Sequence, residues 1–291
     1  MPPRAKARPQ TRTSLPPLDP LRFAPSSARP VRAKSRLLEH DVDILPHQHD
    51  WGQLVFSISG VVRVSTASAT FLVPPSRAVW IPPKVVHAVT AVERVDLRTL
   101  YLHQHAERIG PGLAPDEARA WRDCRVLEVS PLLRELVLQL AVAPDAPPLV
   151  SSQQIAPQAQ LREHCIATLI EDELRRARSL RLGVDLPQDK RLRKLCEAML
   201  KDPQRHADLD GWAAEVGAST RTLARLFRQE LDSSYAQWRQ QVLLARALSL
   251  AARKQPMKLI AAELGYASAS AFSAMVRRTV GMPPSRFFAE A

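Results

Sequence analysis

The chain is poor in cysteine, in aromatic residues and in long apolar runs. Its three cysteines (Cys124, Cys165 and Cys196) lie far apart and form no CxxC pair. That excludes a disulfide framework and a cysteine-rich zinc site, and points to free thiols in a reducing compartment. No apolar run reaches the roughly 18 residues of a membrane-spanning helix, so no membrane partner is expected. The opening MPPRAKARPQTRTSLPPLDP is basic but has no apolar core, so it does not read as a secretory signal. A cytoplasmic location is the expectation. Neither a GxSxG nucleophile motif nor a phosphate-binding P-loop occurs. No catalytic residue is assigned, and the chain is not expected to be an enzyme.

Acidic residues are scarce overall but not everywhere. The formal charge is +12 over 291 residues, long enough for two domains with a core in each. Residues 1–36 carry nine Lys/Arg against the single acid Asp19, a balance of +8. Residues 187–291 carry seventeen against ten, +7, while the middle of the chain stands at −3. A mildly acidic centre between two basic ends places a polyanion, nucleic acid above all, at the ends.

Residues 1–30 hold eight prolines, many arginines and few large apolar residues. Such a composition does not bury enough surface to offset the entropy of ordering, so residues 1–33 are expected to be a disordered basic tail. From about 36 to 105 short β-like runs follow one another. QLVFSISGVVRV reads as two strands around a tight hairpin at Ser59-Gly60, and the Pro-Pro pairs at 74–75 and 82–83 read as corners. SPLLRELVLQLAV begins a helix with Ser130 as N-cap and Pro131 at its first position. Residues 158–178 read as a second helix. Leu161, Cys165, Thr168, Leu169, Asp172 and Arg176 follow helical spacing, for packing on the β domain or for a dimer seam. Gly183 and Pro187 punctuate a linker at 179–190.

The last third is the most specific. WAAEVGASTRTLARLF at 212–227 recurs as IAAELGYASASAFSAMV at 260–276, offset by 48 residues up to the glycine. Each copy is a short helix ending at a glycine (Gly217, Gly265), then a Ser/Thr cap cluster and a second helix. This is the helix-turn-helix plan, with alanines where two helices approach closely. A helix at roughly 234–253 joins the units. Leu223, Leu226 and Phe227 face one core, and Phe272, Met275 and Val276 the other. That leaves Ser219, Thr220, Arg221, Thr222, Arg225 and Arg228 in the first unit for a DNA major groove. In the second unit it leaves Ser268, Ala269, Ser270, Ser273, Arg277 and Arg278.

These residues, with GYASASAF and the terminal GMPPSRF, closely resemble the DNA-binding domain of the AraC/XylS family of bacterial transcription regulators. Three positions depart from the family pattern. Asp232 stands where the first unit usually has Gly, Ala274 where many members carry Arg, and Val276 where many carry Phe. The resemblance implies an N-terminal cupin-like sensor, double-stranded promoter DNA as partner, a homodimer, and contact with RNA polymerase.

It also gives a context to LPHQHDWGQLVFSISG. A cupin first motif has H-x-H, three residues, Glu, six residues, Gly; here it reads His47, His49, Gln53 and Gly60. A cupin second motif, P-x-G-x-x-H, reads here from Pro82 to His87 with Lys84 in place of the glycine. Period two places His47, His49, Trp51 and Gln53 on one side of an extended strand, where His87 joins them. With Lys84 these are the expected effector-binding residues. Three imidazoles can ligate Zn, Ni, Cu or Fe(II), but no cofactor is required. Lys84 facing inward would instead favour an anion. A metal site, an organic-effector pocket and histidines with no ligand all stay open at this point.

The expectation is an α+β multidomain chain, with an N-terminal cupin-like antiparallel β-barrel followed by an all-α domain with two helix-turn-helix units. The divisions are a tail at 1–33, an effector-binding β domain at 34–110, a helical linker or dimerisation region at 111–182, and a DNA-binding domain at 187–291. The function expected is sequence-specific transcription regulation in response to a small molecule or metal. The competing readings are a cupin metalloenzyme with a nucleic-acid-binding appendage, and a non-specific architectural DNA binder.

Overall fold

The computed structural model describes residues 13–75, 77–104, 109–111, 119, 121–140, 142, 157–180, 183–206, 208–281 and 283–288. The N-terminal part is strands with one turn of 3-10 helix at Pro20–Phe23: β1 (Thr13–Leu15), β2 (Val31–Leu38), β3 (Val42–His47), β4 (Gly52–Ser59), β5 (Val62–Thr66), β6 (Ala69–Val73), β7 (Arg77–Ile81), β8 (His87–Ala91) and β9 (Val95–Leu102). Next come β10 (Arg125–Glu128), helices α1 (Pro131–Gln139) and α2 (Pro157–Arg176), and two short strands, β11 (Ser179–Leu180) and β12 (Gly183–Asp185). The rest is helical: α3 (Lys190–Lys201), α4 (Leu209–Val216), α5 (Thr220–Leu231), α6 (Tyr235–Ala252), α7 (Met257–Glu263), α8 (Ala269–Val280) and α9 (Pro284–Phe287).

The strands form two six-stranded sheets, ordered β1-β3-β8-β5-β6-β12 and β11-β10-β7-β4-β9-β2. All pairings are antiparallel except β1 with β3. The sheets form a sandwich with a shared interior, in which Val62, Val64 and Val89 of the first meet Val55, Val79 and Leu97 of the second. The outer face of the second sheet is covered too. Leu54, Phe56, Trp80 and Leu100 pack against Leu133 and Val137 of α1 and Ile170 and Leu174 of α2. With both faces covered, β4 and β7 read as continuous apolar runs rather than alternating ones.

Four expectations change here. First, Ser59-Gly60 is a corner and not a hairpin. β4 pairs with β7 and β9, whereas β5 pairs with β6 and β8, so the chain crosses between sheets. Gly60 has φ +76, and a Cβ there would lie 2.3 Å from the Arg94 carbonyl oxygen, so only glycine fits the crossing. Second, residues 13–33 are ordered, while 1–12 lie outside the described residues. β1 pairs with β3, Phe23 is buried, and Arg29 grips Glu163 of α2 through both carboxylate oxygens at 2.7 and 2.9 Å. Third, the region 111–182 is not purely helical, because β10 and β11 complete the second sheet beside β7. Its neighbour β12 pairs with β6. The intended linker therefore stitches both sheets. Fourth, of the two places open to the α2 stripe, packing on the β domain or a dimer seam, the first is excluded, because the stripe faces outward. Leu161 is 65 % and Leu169 47 % exposed and Cys165 is exposed, while Ile166, Ala167, Ile170 and Leu174 are buried. The Pro-Pro pairs do lie between strands, after β6 and after β7.

In the C-terminal part, α4–α5 and α7–α8 are the two helix-turn-helix units. The sequence repeat becomes a repeat of turn geometry. Gly217 and Gly265 have φ +66 and +79. Ala218 N–H donates to Ala213 O at 3.0 Å, and Tyr266 N–H to Ala261 O at 2.9 Å. These are helix C-caps closed by a left-handed glycine. Helix α6 serves three neighbours. Trp238 and Val242 enter the core of the first unit, and Leu244 and Leu248 lie in the core containing Phe272 of the second. Ala245 packs on Val61 and Leu72 at the back of the first sheet. Arg253 seals this junction with an ion pair to Glu93 at 2.6 Å.

Candidate functional site

The histidines converge. His47 ends β3 and is the register partner of His87 at the start of β8, after a bulge between Ile44 and His47. The strand ends at His47, so His49 and Trp51 sit in the β3–β4 connection and not on a continuing strand. Ring contacts keep the group together. The His47–His87, His47–His49 and His49–His87 centroids are 4.4, 5.0 and 5.6 Å apart, and Trp51 stacks on His49 at 5.5 Å. One ligand nitrogen from each of His47, His49 and His87 can be chosen so that all lie within 4.8 Å of one another.

Their tautomers are set by the backbone. His47 Nδ1 lies 2.7 Å from Leu45 O and His87 Nδ1 2.9 Å from Val85 O. A carbonyl only accepts, so each Nδ1 carries the proton and each Nε2 keeps its lone pair. His87 Nε2 is buried and has no hydrogen-bond partner among the described residues, and Gln53 lies against His49. Burial first, then the charges of His47, His87 and Lys34, pulls His49 down to about 3. Burial likewise pulls His87 to about 4 and lowers His47. All three imidazoles are therefore neutral at pH 7, the form that ligates metals.

Lys84 does not belong to this group. It is exposed, has φ +64, and touches the site only through its backbone N–H, which donates to His49 O at 2.7 Å. The turn needs a left-handed residue there, and that sends the side chain into solvent. The pocket's lysine is Lys34 of β2, buried and hydrogen-bonded to the Tyr101 hydroxyl. Burial and the neighbouring Arg36 lower it to about 8. Tyr101 also lies against His49, with ring centroids 4.8 Å apart. A cavity of about 20 Å³, lined by Lys34, His47 and Gln53 among others, with Pro17 and Leu18 also on its wall, adjoins them. Neither Lys34 nor Tyr101 was singled out from the sequence. The signal was the alternation Arg32, Lys34, Arg36 in VRAKSRLL, which looks like a solvated face unless both faces of the strand are known to be covered.

On the second surface, Arg221, Arg225, Arg228, Ser268, Ser270, Arg277 and Arg278 are exposed; Thr220, Thr222, Ala269 and Ser273 are half-buried. Ser219 and Ser268 are the N-caps of α5 and α8, accepting from Thr222 N–H and Ala271 N–H, both at 3.1 Å. Their first role is thus to start the helices. Ser219 Oγ also meets Thr222 Oγ1 at 2.8 Å, and Arg225 lies along α5 on Gln229.

The comparisons with known proteins match both halves. The family described as an AraC-like ligand binding domain covers residues 39–229, and that described as a helix-turn-helix domain covers 212–290. The HTH-type transcriptional regulator NimR of Escherichia coli is 30% identical over 243 residues, 84% of this chain and 81% of that protein. The arabinose operon regulatory protein of Salmonella typhimurium is 30% identical over 118 residues, 39% of this chain and 41% of that one. Among solved structures, ToxT from Vibrio cholerae is similar with a TM-score of 0.35 at 10% identity, over 90% of this chain and 98% of that one.

Proposed function

The chain belongs to the AraC family of transcription regulators, with a ligand-binding domain joined to a helix-turn-helix DNA-binding domain; from that premise we propose that its ligand is a divalent transition-metal ion. His47, His49 and His87 supply the imidazoles and Gln53 an amide oxygen. The observation that carries this reading is the set of three neutral imidazoles with ligand atoms within 4.8 Å, two of them with Nδ1 held by a carbonyl. The adjoining cavity of about 20 Å³, which His47 and Gln53 line, has room for an ion or a water molecule and not for an organic effector. Lys34, able to lose its proton near neutral pH, opposes a cation less than an ordinary lysine would.

The proposed route to DNA is short. His87 lies on β8, β8 pairs with β5, β5 with β6, and Leu72 of β6 packs on Ala245 of α6 between the two DNA-reading units. Binding changes promoter affinity only as far as the ion distinguishes two placements of those units. Self-association through α2, whose Leu161 and Leu169 are exposed, is part of the same proposal.

The test uses untagged protein. Expected are one metal ion per chain by elemental analysis, its loss in His47→Ala and His87→Ala, and weaker retention in Gln53→Ala. Metal should change affinity for duplexes that the protein itself enriches from random DNA. A metal-free protein whose DNA binding ignores added Zn, Ni, Cu and Fe(II) would overturn the metal reading. The DNA-binding assignment would stand.

A further inference from the structure

Between the two helix-turn-helix units lies a cleft of about 540 Å³ that the recognition-helix reading leaves unused. We infer that this cleft seats a phosphate of the DNA backbone, held by Arg239 and Arg278 with the hydroxyls of Tyr235 and Tyr266. The inference rests on the reading that α8 enters a major groove.

The residues converge from separate elements. Tyr235 and Arg239 stand one turn apart at the start of α6, Tyr266 lies in the turn between α7 and α8, and Arg278 is near the end of α8. Arg239 Nε is a buried atom with no hydrogen-bond partner among the described residues, and the Tyr235 hydroxyl has the Trp212 side chain beside it. An anion that accepts from the Arg239 guanidinium satisfies a group otherwise left unmatched. Arg239, Arg278 and Tyr266 line the same cleft, and the charges of both arginines are felt at the Tyr266 hydroxyl. Two guanidinium groups and two hydroxyl donors suit a tetrahedral anion. One acid, Asp208, also lines the cleft and its charge is felt at the Tyr235 hydroxyl; its carboxylate is the N-cap of α4, accepting from Gly211 N–H at 3.1 Å.

The position fits a duplex. Helical spacing places Ala274 about 40° around α8 from Ser270 and from Arg278. Ala274 and Arg278 line the cleft, and Ser270 lies on the expected base-reading row beside them. A duplex seated on Ser270 and Arg277 therefore runs its backbone across the mouth of the cleft. The contact also compensates for Ala274, a position with no polar group to offer.

The probe is a duplex enriched from a random pool by the full-length wild-type protein, titrated over a range of salt concentrations alongside a scrambled duplex. Arg239→Ala should weaken binding to both duplexes by a similar factor. It should also flatten the slope of log K against log salt by about 1, while the enriched motif stays the same. Arg239→Lys should restore the slope, since it keeps the charge, and Tyr266→Phe should weaken binding without altering the slope. An Arg239→Ala slope equal to wild type overturns the inference, whether or not affinity falls, because a merely structural role lowers affinity and leaves the count of neutralised phosphates alone. A changed motif with an unchanged slope overturns it in favour of base reading. If the wild-type protein enriches no motif, the regulator reading fails, and this inference fails with it.

Discussion

The sensor half and the DNA-reading half hold their functional residues in place by opposite means. In the helix-turn-helix units each positioning contact closes within a few residues, as Ala218 N–H on Ala213 O and Ser268 on Ala271 N–H. In the sensor the contacts join distant segments. Val31 pairs with Leu102, Val184 with Thr70, and His47 with His87. Local contacts make a unit that sequence can repeat, and this chain does repeat it. Long-range pairing makes a pocket whose walls come from β2, β3, β4, β8 and β9, so damage to any of these strands reaches the ligand site.

The largest test of that contrast is Trp80→Ala. Trp80 is fully buried, stands edge-on to Trp121 with centroids 5.3 Å apart, and donates to Trp121 O at 2.9 Å. The loss should be about 3–5 kcal/mol in urea unfolding, with failure of metal uptake although Trp80 is not a ligand. A variant that unfolds as late as wild type and still takes up metal would break the contrast.

A glycine from each half sharpens it. Gly60→Ala meets both left-handed strain and the Arg94 carbonyl 2.3 Å away, and should cost about 3 kcal/mol. Gly217→Ala meets nothing within 4 Å and should cost about 1–2 kcal/mol, from strain alone. Equal shifts in the unfolding midpoint would show that the sheet crossing is no tighter than the helix turn.

Next in size is Arg225→Ala, exposed on α5, which should weaken the selected DNA site by about 1–3 kcal/mol and relax its sequence while leaving metal content unchanged. The smallest effects belong to two residues that stand where the resembled patterns have glycine. Lys84 and Asp232 both adopt left-handed backbone, with φ +64 and +43. Replacing either by Gly should stabilise the protein by up to about 1 kcal/mol, less for Asp232, because Asp tolerates this region better than Lys. Thermal unfolding measures both, and a fall in midpoint for Lys84→Gly would mean that its side chain has a role the backbone does not explain.

Much of the DNA-reading half was legible. The repeat, the glycines and the Ser/Thr caps each report a local requirement, and the helices appear where those signals place them. In the sensor the motif spacing brought His47, His49, Gln53 and His87 together correctly. Two readings failed there and one stayed open, for related reasons. Motif spacing puts Lys84 among the effector-binding residues, but its left-handed turn position sends the side chain out. Lys34 went unnoticed because a basic alternation resembles a solvated strand face. Leu161 and Leu169 share a stripe that was open to packing on the β domain or to a dimer seam, because helical spacing shows that a row exists and not which row faces the core.

The sequence by itself determined where the helices begin and end, which residues can cap, turn or ligate, and that two copies of one DNA-reading unit follow a β domain. Those properties depend on a residue and its near neighbours. Only the tertiary structure decided that Gly60 crosses between sheets, that Lys34 and Tyr101 adjoin the histidines, and that Arg239 and Arg278 share a cleft with two tyrosines. Each depends on which surfaces are covered by segments remote in the chain, and that is settled by packing the whole core at once.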